Sequence, residues 1–446
     1  LRGIVGRTGV AASGDWFNRT VPIIRDAKTA QRIVKNLIRS RLHRRELARR
    51  GPAVSRLAPD SVQIAVYFAD TKVNLYQIRQ WYAPLAELAK TRPVAIIARS
   101  PGAALALIEE SPVPVVYLRT VTELESFVAS QNIRITFYVN QNSKNFQMFR
   151  YGRMWHVFIN HGESDKMYMT TNQFKAYDYS LVAGEAARDR LRRKLWNFDL
   201  DHRTMMIGRP QADHFAGALP YQPDHRSVVL YAPTWEGDRG AAAYGSVASH
   251  GEAVVAALLA TGRHRVIYRP HPRTGVIDPQ FRRANEAIIA AIAAANSRDA
   301  SARHLFDDGP TLGWQLAAAD LAITDISAMV YDRLATGKPL IVIRPVSPDA
   351  EIDTTGYLGD AEWLAAEDAA GVVAAIDRVQ HSEEAQRRLE FWVERHFGDT
   401  TPGEATRRFH AAVEQLLEEW ERHAALHAGD LLVWESSPLD SESDDD

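Results

Sequence analysis

The chain contains no cysteine. Disulfides, thiolate zinc sites and a catalytic thiol are therefore excluded, and the composition agrees with a reducing compartment. Nor does any apolar run approach the ~20 residues that span a bilayer; the most apolar stretch, Ala287 to Ala295, is short and alanine-rich. Residues Leu1 to Val10 carry no signal-peptide apolar core. A cytoplasmic protein is expected, one that can touch the inner face of a membrane without crossing it. Two phosphate-binding fingerprints are also missing. No Gly-rich loop ends in Gly-Lys-Ser/Thr, and no G-x-G-x-x-G follows a strand-like run. There is no His-Glu-x-x-His zinc motif. Asp199-Leu200-Asp201 has the spacing of a metal-binding D-x-D, but it follows a charged helical stretch and reads as a loop.

What is present describes an ordinary globular protein. Its 446 residues are 46% hydrophobic and 24% charged, enough for two domains with a terminal addition. The formal net charge of -2 conceals an asymmetry. Arg39, Arg41, Arg44, Arg45, Arg49 and Arg50 cluster near one end, and Asp440, Glu442, Asp444, Asp445 and Asp446 close the other. The arginines form either a solvated helix face or a surface attracted to anionic lipid headgroups. The acidic tail reads as disordered, and no nucleic-acid partner is expected.

Beyond the basic region, β-branched and aromatic runs alternate with helical stretches. Val62 to Phe68, Val94 to Ile97, Pro114 to Leu118, Ile133 to Val139, His156 to Asn160 and Tyr179 to Val182 read as strands. A polar, proline-containing stretch from Arg209 to Arg226 interrupts the pattern. It resumes at Val228 to Tyr231, Arg265 to Tyr268, Leu321 to Thr324 and Pro339 to Ile343. Alternating strands and helices imply parallel sheets with right-handed crossovers. The predicted organisation is a basic, mostly helical region (1–60), a first α/β block (61–215), a second with helices at its end (216–427), and the acidic tail (428–446).

Candidate chemistry gathers where strands end, since ligands of open α/β sheets sit at the carboxyl ends of strands. His161 follows one such run and Gly162 lets the chain turn behind it. An imidazole there can accept a proton from a hydroxyl, or simply bond a neighbouring carbonyl. Lys166 lies in the same charged loop. Thr234 and Trp235 end the first strand of the second block, where the indole can face a ligand or the core. Arg269-Pro270-His271-Pro272-Arg273 puts two guanidinium groups and an imidazole on a proline-stiffened loop suited to a phosphate. Thr324-Asp325-Ile326-Ser327 reads as strand, tight turn and helix start, with Ser327 as a cap or first-turn residue. Such a start offers amide donors to an anion, or is an ordinary capped helix.

Taken in order, His161-Gly162, Tyr177-Asp178-Tyr179, Gly208-Arg209-Pro210 with Asp213, Tyr231 to Trp235, Arg269 to Pro272, and Thr324 to Ser327 through Asp332 resemble the CDP-glycerol glycerophosphotransferase family, which includes teichoic acid polymerases. The resemblance covers about Ile133 to Leu417. It implies a GT-B architecture of two Rossmann-like domains facing across a cleft. It also implies transfer of glycerol phosphate or ribitol phosphate from a CDP-linked donor to a hydroxyl of a lipid-linked or polymeric acceptor, releasing CMP. By position, His161 would be the base and His271 would stabilise departing CMP. Arg269, Arg273, Thr324, Asp325 and Ser327 would hold the donor phosphates, with Lys166, Thr234, Trp235 and Asp332 as further substrate contacts. No cofactor or metal is implied. The chain departs from the family pattern in Glu163-Ser164-Asp165-Lys166 after His-Gly and in Ser327-Ala328 where paired serines are usual. A sugar-nucleotide GT-B glycosyltransferase and a non-catalytic surface-polymer assembly protein are the competing readings.

Overall fold

The computed structural model describes residues 38–51, 56–163, 171–309 and 312–428. Lys166 and the acidic tail lie outside the described residues. Residues up to Val54 and residues from Ser55 form separate compact units and are taken in turn.

In the first unit, residues 38–49 are helical (α1). Arg39, Arg41, Arg45, Arg49 and Arg50 are exposed and Arg44 is half-buried. Glu46 is the acidic partner of Arg49 and Arg50 on this helix.

The second unit begins with β1 (Ile64–Phe68), α2 (Leu75–Arg79), α3 (Tyr82–Leu88), β2 (Val94–Ala98), α4 (Pro101–Glu110), β3 (Val115–Tyr117) and α5 (Val121–Ala129). It continues through β4 (Ile135–Tyr138), β5 (Trp155–Phe158), β6 (Tyr179–Val182), α6 (Glu185–Lys194), α7 (Leu200–Arg203) and β7 (Thr204–Met206). These seven strands pair in the order β3-β2-β1-β4-β5-β6-β7. Every pair is parallel. Buried on both faces, the strands are near-continuous apolar runs such as Val94–Ala98, as fully covered parallel sheets require. Asp199 accepts the N–H of His202 and caps α7, so the segment expected as a loop is one helical turn.

A second sheet follows the same plan. It is built from β8 (Ser227–Ala232), α8 (Glu252–Ala260), β9 (His264–Tyr268), α9 (Pro279–Arg298), β10 (Leu305–Phe306), α10 (Trp314–Ala318), β11 (Leu321–Thr324), α11 (Ala328–Leu334), β12 (Leu340–Ile343) and β13 (Trp363–Leu364). Its order is β10-β9-β8-β11-β12-β13, again all parallel. Two parallel sheets clad in helices make a GT-B-like architecture. In each sheet the order reverses beside its first strand, between β1 and β4 and between β8 and β11. These switch points open the crevices where ligands of such sheets bind.

Three helices close the described chain: α12 (Val372–His381), α13 (Glu383–Phe397) and α14 (Glu404–Leu426). The sequence pattern groups them with the second block, and α14 departs from that. It packs against the first sheet, because its buried stripe Phe409, Ala412, Val413, Leu416 and Leu417 has helical spacing. Phe409 contacts Trp81 and Phe137, with ring centroids 5.4 and 5.9 Å apart. Polar ties flank this stripe. Arg92 Nε donates to Glu414 at 2.8 Å, the Trp155 indole to Leu416 O at 3.0 Å, and Tyr179 Oη to Glu419 at 2.6 Å. Asp213 accepts the N–H of Thr406 in the helix's first turn at 2.6 Å. Among the described residues no helix is long and apolar enough to cross a membrane.

Candidate active site

His161 stands just past β5, beside the switch point of the first sheet. Its Nδ1 lies 2.9 Å from Val139 O, the residue following β4. A carbonyl oxygen only accepts, so Nδ1 carries the hydrogen, and in the neutral ring Nε2 carries the lone pair. Tyr76 meets the ring edge-on, with centroids 5.9 Å apart. Asn160 precedes it at φ 55, a left-handed conformation that asparagine tolerates better than most residues. Its side chain accepts the His161 N–H at 2.8 Å and donates to Gly162 O at 2.6 Å, bracketing the histidine from both sides. Trp81 Nε1 donates to Asn160 O. Sequence reasoning missed this support, although asparagine at the end of a strand and before His-Gly is a usable signal for a left-handed turn.

A cavity of about 50 Å³ lies behind this turn, lined by Trp81, Asn160, Gly162, Glu163, Arg190 and Arg209 among others. Glu163 is buried and ion-paired with Arg190 of α6, so the unusual acid after His-Gly meets an opposite charge. Burial pulls the Arg190 guanidinium down to about 10. Arg209 donates to Gln80 Oε1 at 3.1 Å and forms an ion pair with Asp332 of α11. Both members of that pair are almost wholly buried. Burial pushes the Asp332 carboxyl up, and the Arg209 charge opposes this. Asp332 therefore bridges the two α/β blocks through Arg209.

The second sheet gathers most of the remaining candidates around β8. Arg269 N donates to Tyr231 O at 2.9 Å and His271 N to Pro233 O at 3.1 Å, which lays the loop after β9 beside the loop after β8. Arg273 N donates to His271 Nδ1 at 3.1 Å. A backbone N–H only donates, so in the neutral ring Nδ1 carries the lone pair and Nε2 the hydrogen. His161 and His271 are thus held in opposite tautomers. Burial, reinforced by Arg273, lowers the basicity of His271, while Glu236 works against both. The Arg273 guanidinium lies 3.6 Å from the Trp235 ring centroid, a close cation–π contact, and the Trp235 and His271 rings are 6.4 Å apart. Arg269 is held by Asp307 and by Gly309 O.

The β11 turn divides into two parts. Ser327 is half-buried and caps α11, accepting the Met329 N–H at 3.2 Å, as its position suggested. Thr324 and Asp325 are wholly buried. Asp325 Oδ2 accepts the N–H of Thr234 at 2.8 Å and of Ser246 at 3.0 Å, clamping the β8 loop across the switch point. Asp325 Oδ1 and Thr324 Oγ1 have no hydrogen-bond partner among the described residues. Burial raises the Asp325 carboxyl to about 7. Enclosed and acceptor-only when ionised, it is a scaffold for the turn where the sequence suggests a phosphate contact. Thr234 takes part through its backbone N–H in the same clamp.

Residues 117–414 match the family model described as CDP-glycerol:poly(glycerophosphate) glycerophosphotransferase. Among solved structures, the wall teichoic acid polymerase TagF superposes with a TM-score of 0.53 at 13% identity, covering 90% of this chain and 98% of that one. A UDP-N-acetylglucosamine 2-epimerase superposes with a TM-score of 0.52 at 14% identity, over 82% and 97% of the two chains. At such identities the likeness is one of fold. No curated protein matches the chain.

Proposed function

The chain belongs to the CDP-glycerol:poly(glycerophosphate) glycerophosphotransferase family, and from that premise we propose that it moves a polyol phosphate from a CDP-linked donor to a hydroxyl of a polymeric or lipid-linked acceptor. The acceptor O–H gives its proton to His161 Nε2. The oxygen attacks the donor's distal phosphorus, and the bond from that phosphorus to the bridging oxygen breaks. CMP departs with the electron pair. His271, donating from Nε2, and the Arg273 guanidinium stabilise the charge gathering on the leaving phosphate. The half-buried Ser327 hydroxyl is the further anion contact, its O–H donating while its oxygen caps α11. Phosphoryl transfer of this kind depends on placement and charge rather than on a covalent enzyme intermediate.

What supports this reading best is the pair of Nδ1 contacts, which in neutral rings leave Nε2 a proton acceptor in His161 and a donor in His271. The exposed arginines of α1 suit an anionic membrane surface, where a lipid-linked acceptor would reside. The test is CMP release from CDP-glycerol and CDP-ribitol with a glycerophosphate acceptor. His161→Ala and His271→Ala are each expected to abolish turnover while leaving the melting temperature intact. Normal turnover by both variants would sink the assignment, and UDP release from UDP-sugars by the native protein would replace it with glycosyl transfer.

A further inference from the structure

Glu236 has no part in the chemistry above, yet among the described residues no other carboxylate near His271 accepts as many backbone N–H bonds. It lies two residues past Thr234, in the loop after β8, and is 9% exposed. Its Oε2 accepts the N–H of Gly275 at 3.0 Å, and its Oε1 accepts those of Ile277 at 2.8 Å and Asp278 at 3.0 Å. These donors occupy the far end of the loop that carries His271. The near end is already turned tightly, with Thr274 N donating to His271 O at 2.8 Å and Val276 N to Arg273 O at 3.1 Å. Gly275 sits at φ +74, where a Cβ would lie 2.6 Å from Arg282 Cα, so the loop reaches this shape only with glycine. Between these two anchorages lie the Arg273 N–H that fixes the His271 tautomer and the guanidinium stacked on Trp235.

We propose that Glu236 is the positioning residue of the His271 loop: its carboxylate staples residues 275–278 to the β8 strand end and thereby sets the orientation and tautomer of His271. Burial alone would favour the acid form, but the amides of Asp278, Ile277 and Gly275 hold the carboxyl below its usual range, so it acts as an anion. The role it serves rests on the reading of His271 given above, while the staple is a matter of geometry and can be tested without turnover.

The test is Glu236→Gln, which preserves shape but replaces one acceptor oxygen with an NH2 group facing backbone donors. Diethylpyrocarbonate modifies neutral imidazoles, and peptide mass spectrometry reads the rate at each histidine separately. In the native protein His271 should react slowly. In Glu236→Gln its rate should rise several-fold while that of His161 stays constant, and Glu236→Asp should fall between. The same variant should bind CMP more weakly by calorimetry, with the melting temperature little changed. An unchanged His271 rate overturns the proposal, as does a parallel rise at both histidines, which would mean general loosening. Absence of CMP release by the native enzyme with every donor would sink the proposed function, while the modification rates at His271 and His161 would still decide whether the staple exists.

Discussion

Replacing Asp325 with asparagine should make the protein's stability less dependent on pH, and the structure gives both the sign and the size. One oxygen of Asp325 accepts two backbone N–H bonds and the other has no partner among the described residues. An asparagine can therefore place its carbonyl in the occupied position and its NH2 in the other, keeping both bonds. In the native protein the carboxyl sits at about 7 because burial disfavours its charge, whereas the unfolded chain should titrate near ~3.9. A folded value above the unfolded one means that the contribution is intact below about pH 4 and is lost as the pH rises through 7. Between pH 5 and pH 8 that loss should come to about 3 kcal/mol. Urea unfolding of both proteins at half-unit pH steps is the assay, and the difference between the two curves isolates this carboxyl from every other titrating group. Native stability should fall relative to the variant as pH rises. Parallel curves would show that the carboxylate is comfortably ionised where it lies and that the scaffold reasoning is wrong.

Arg209→Ala leaves the Asp332 carboxylate buried without its counter-charge, which should lower unfolding free energy by about 3–5 kcal/mol. Arg209→Met combined with Asp332→Leu should recover most of it in the same denaturant titration, and no recovery would mean that more than the ion pair was lost. Phe409→Ala removes the ring that joins α14 to Trp81 and Phe137, at a cost of about 3–5 kcal/mol. Limited proteolysis should then cut within residues 404–426 first, and unaltered resistance there would refute the anchoring role.

The sequence is most informative where a strand buries both its faces. β1, β2, β4, β8, β9, β11 and β12 are runs of β-branched and aromatic residues whose period and length leave little choice of element. β7, β10 and β13 escape such a reading because each has only two or three residues and lies at the edge of its sheet, where pairing to one neighbour decides the conformation. The helical stretch after β1 divides into α2 and α3 at Gln80 and Trp81. Tertiary contacts explain the break, since Gln80 meets Arg209 and the Trp81 indole reaches Asn160 O. Candidate-site residues are legible as strand-end positions, but their partners are not. Glu236 meets Gly275 across 39 residues of chain and Thr234 meets Asp325 across 91. Nothing in local spacing distinguishes a carboxylate that binds ligand from one that binds backbone. For that reason Asp325 and Asp332 look like substrate contacts in the sequence, and Glu236 does not stand out.

The three consecutive residues Thr234, Trp235 and Glu236 explain how one side of the site is held rigid. Each is tied to a different partner: Thr234 by its N–H to the β11 turn, Trp235 by its ring to Arg273, and Glu236 by its carboxylate to the approach of α9. The loops after β8, β9 and β11 are thereby locked to one another at the switch point. Groups that stabilise a leaving phosphate act best when they need no reorganisation as charge develops, and on the proposed reading this triple tie provides that on the His271 side. The His161 side is built differently, from a left-handed asparagine and a single carbonyl bond, with buried charge pairs behind it. Arg209 and Asp332 join the two halves just behind these walls, and α14 returns to the first sheet from the far end of the chain. On the proposed reading, substitutions at Arg209 or Asp332 should change acceptor and donor kinetics together, whereas those at Glu236 should act on the donor alone.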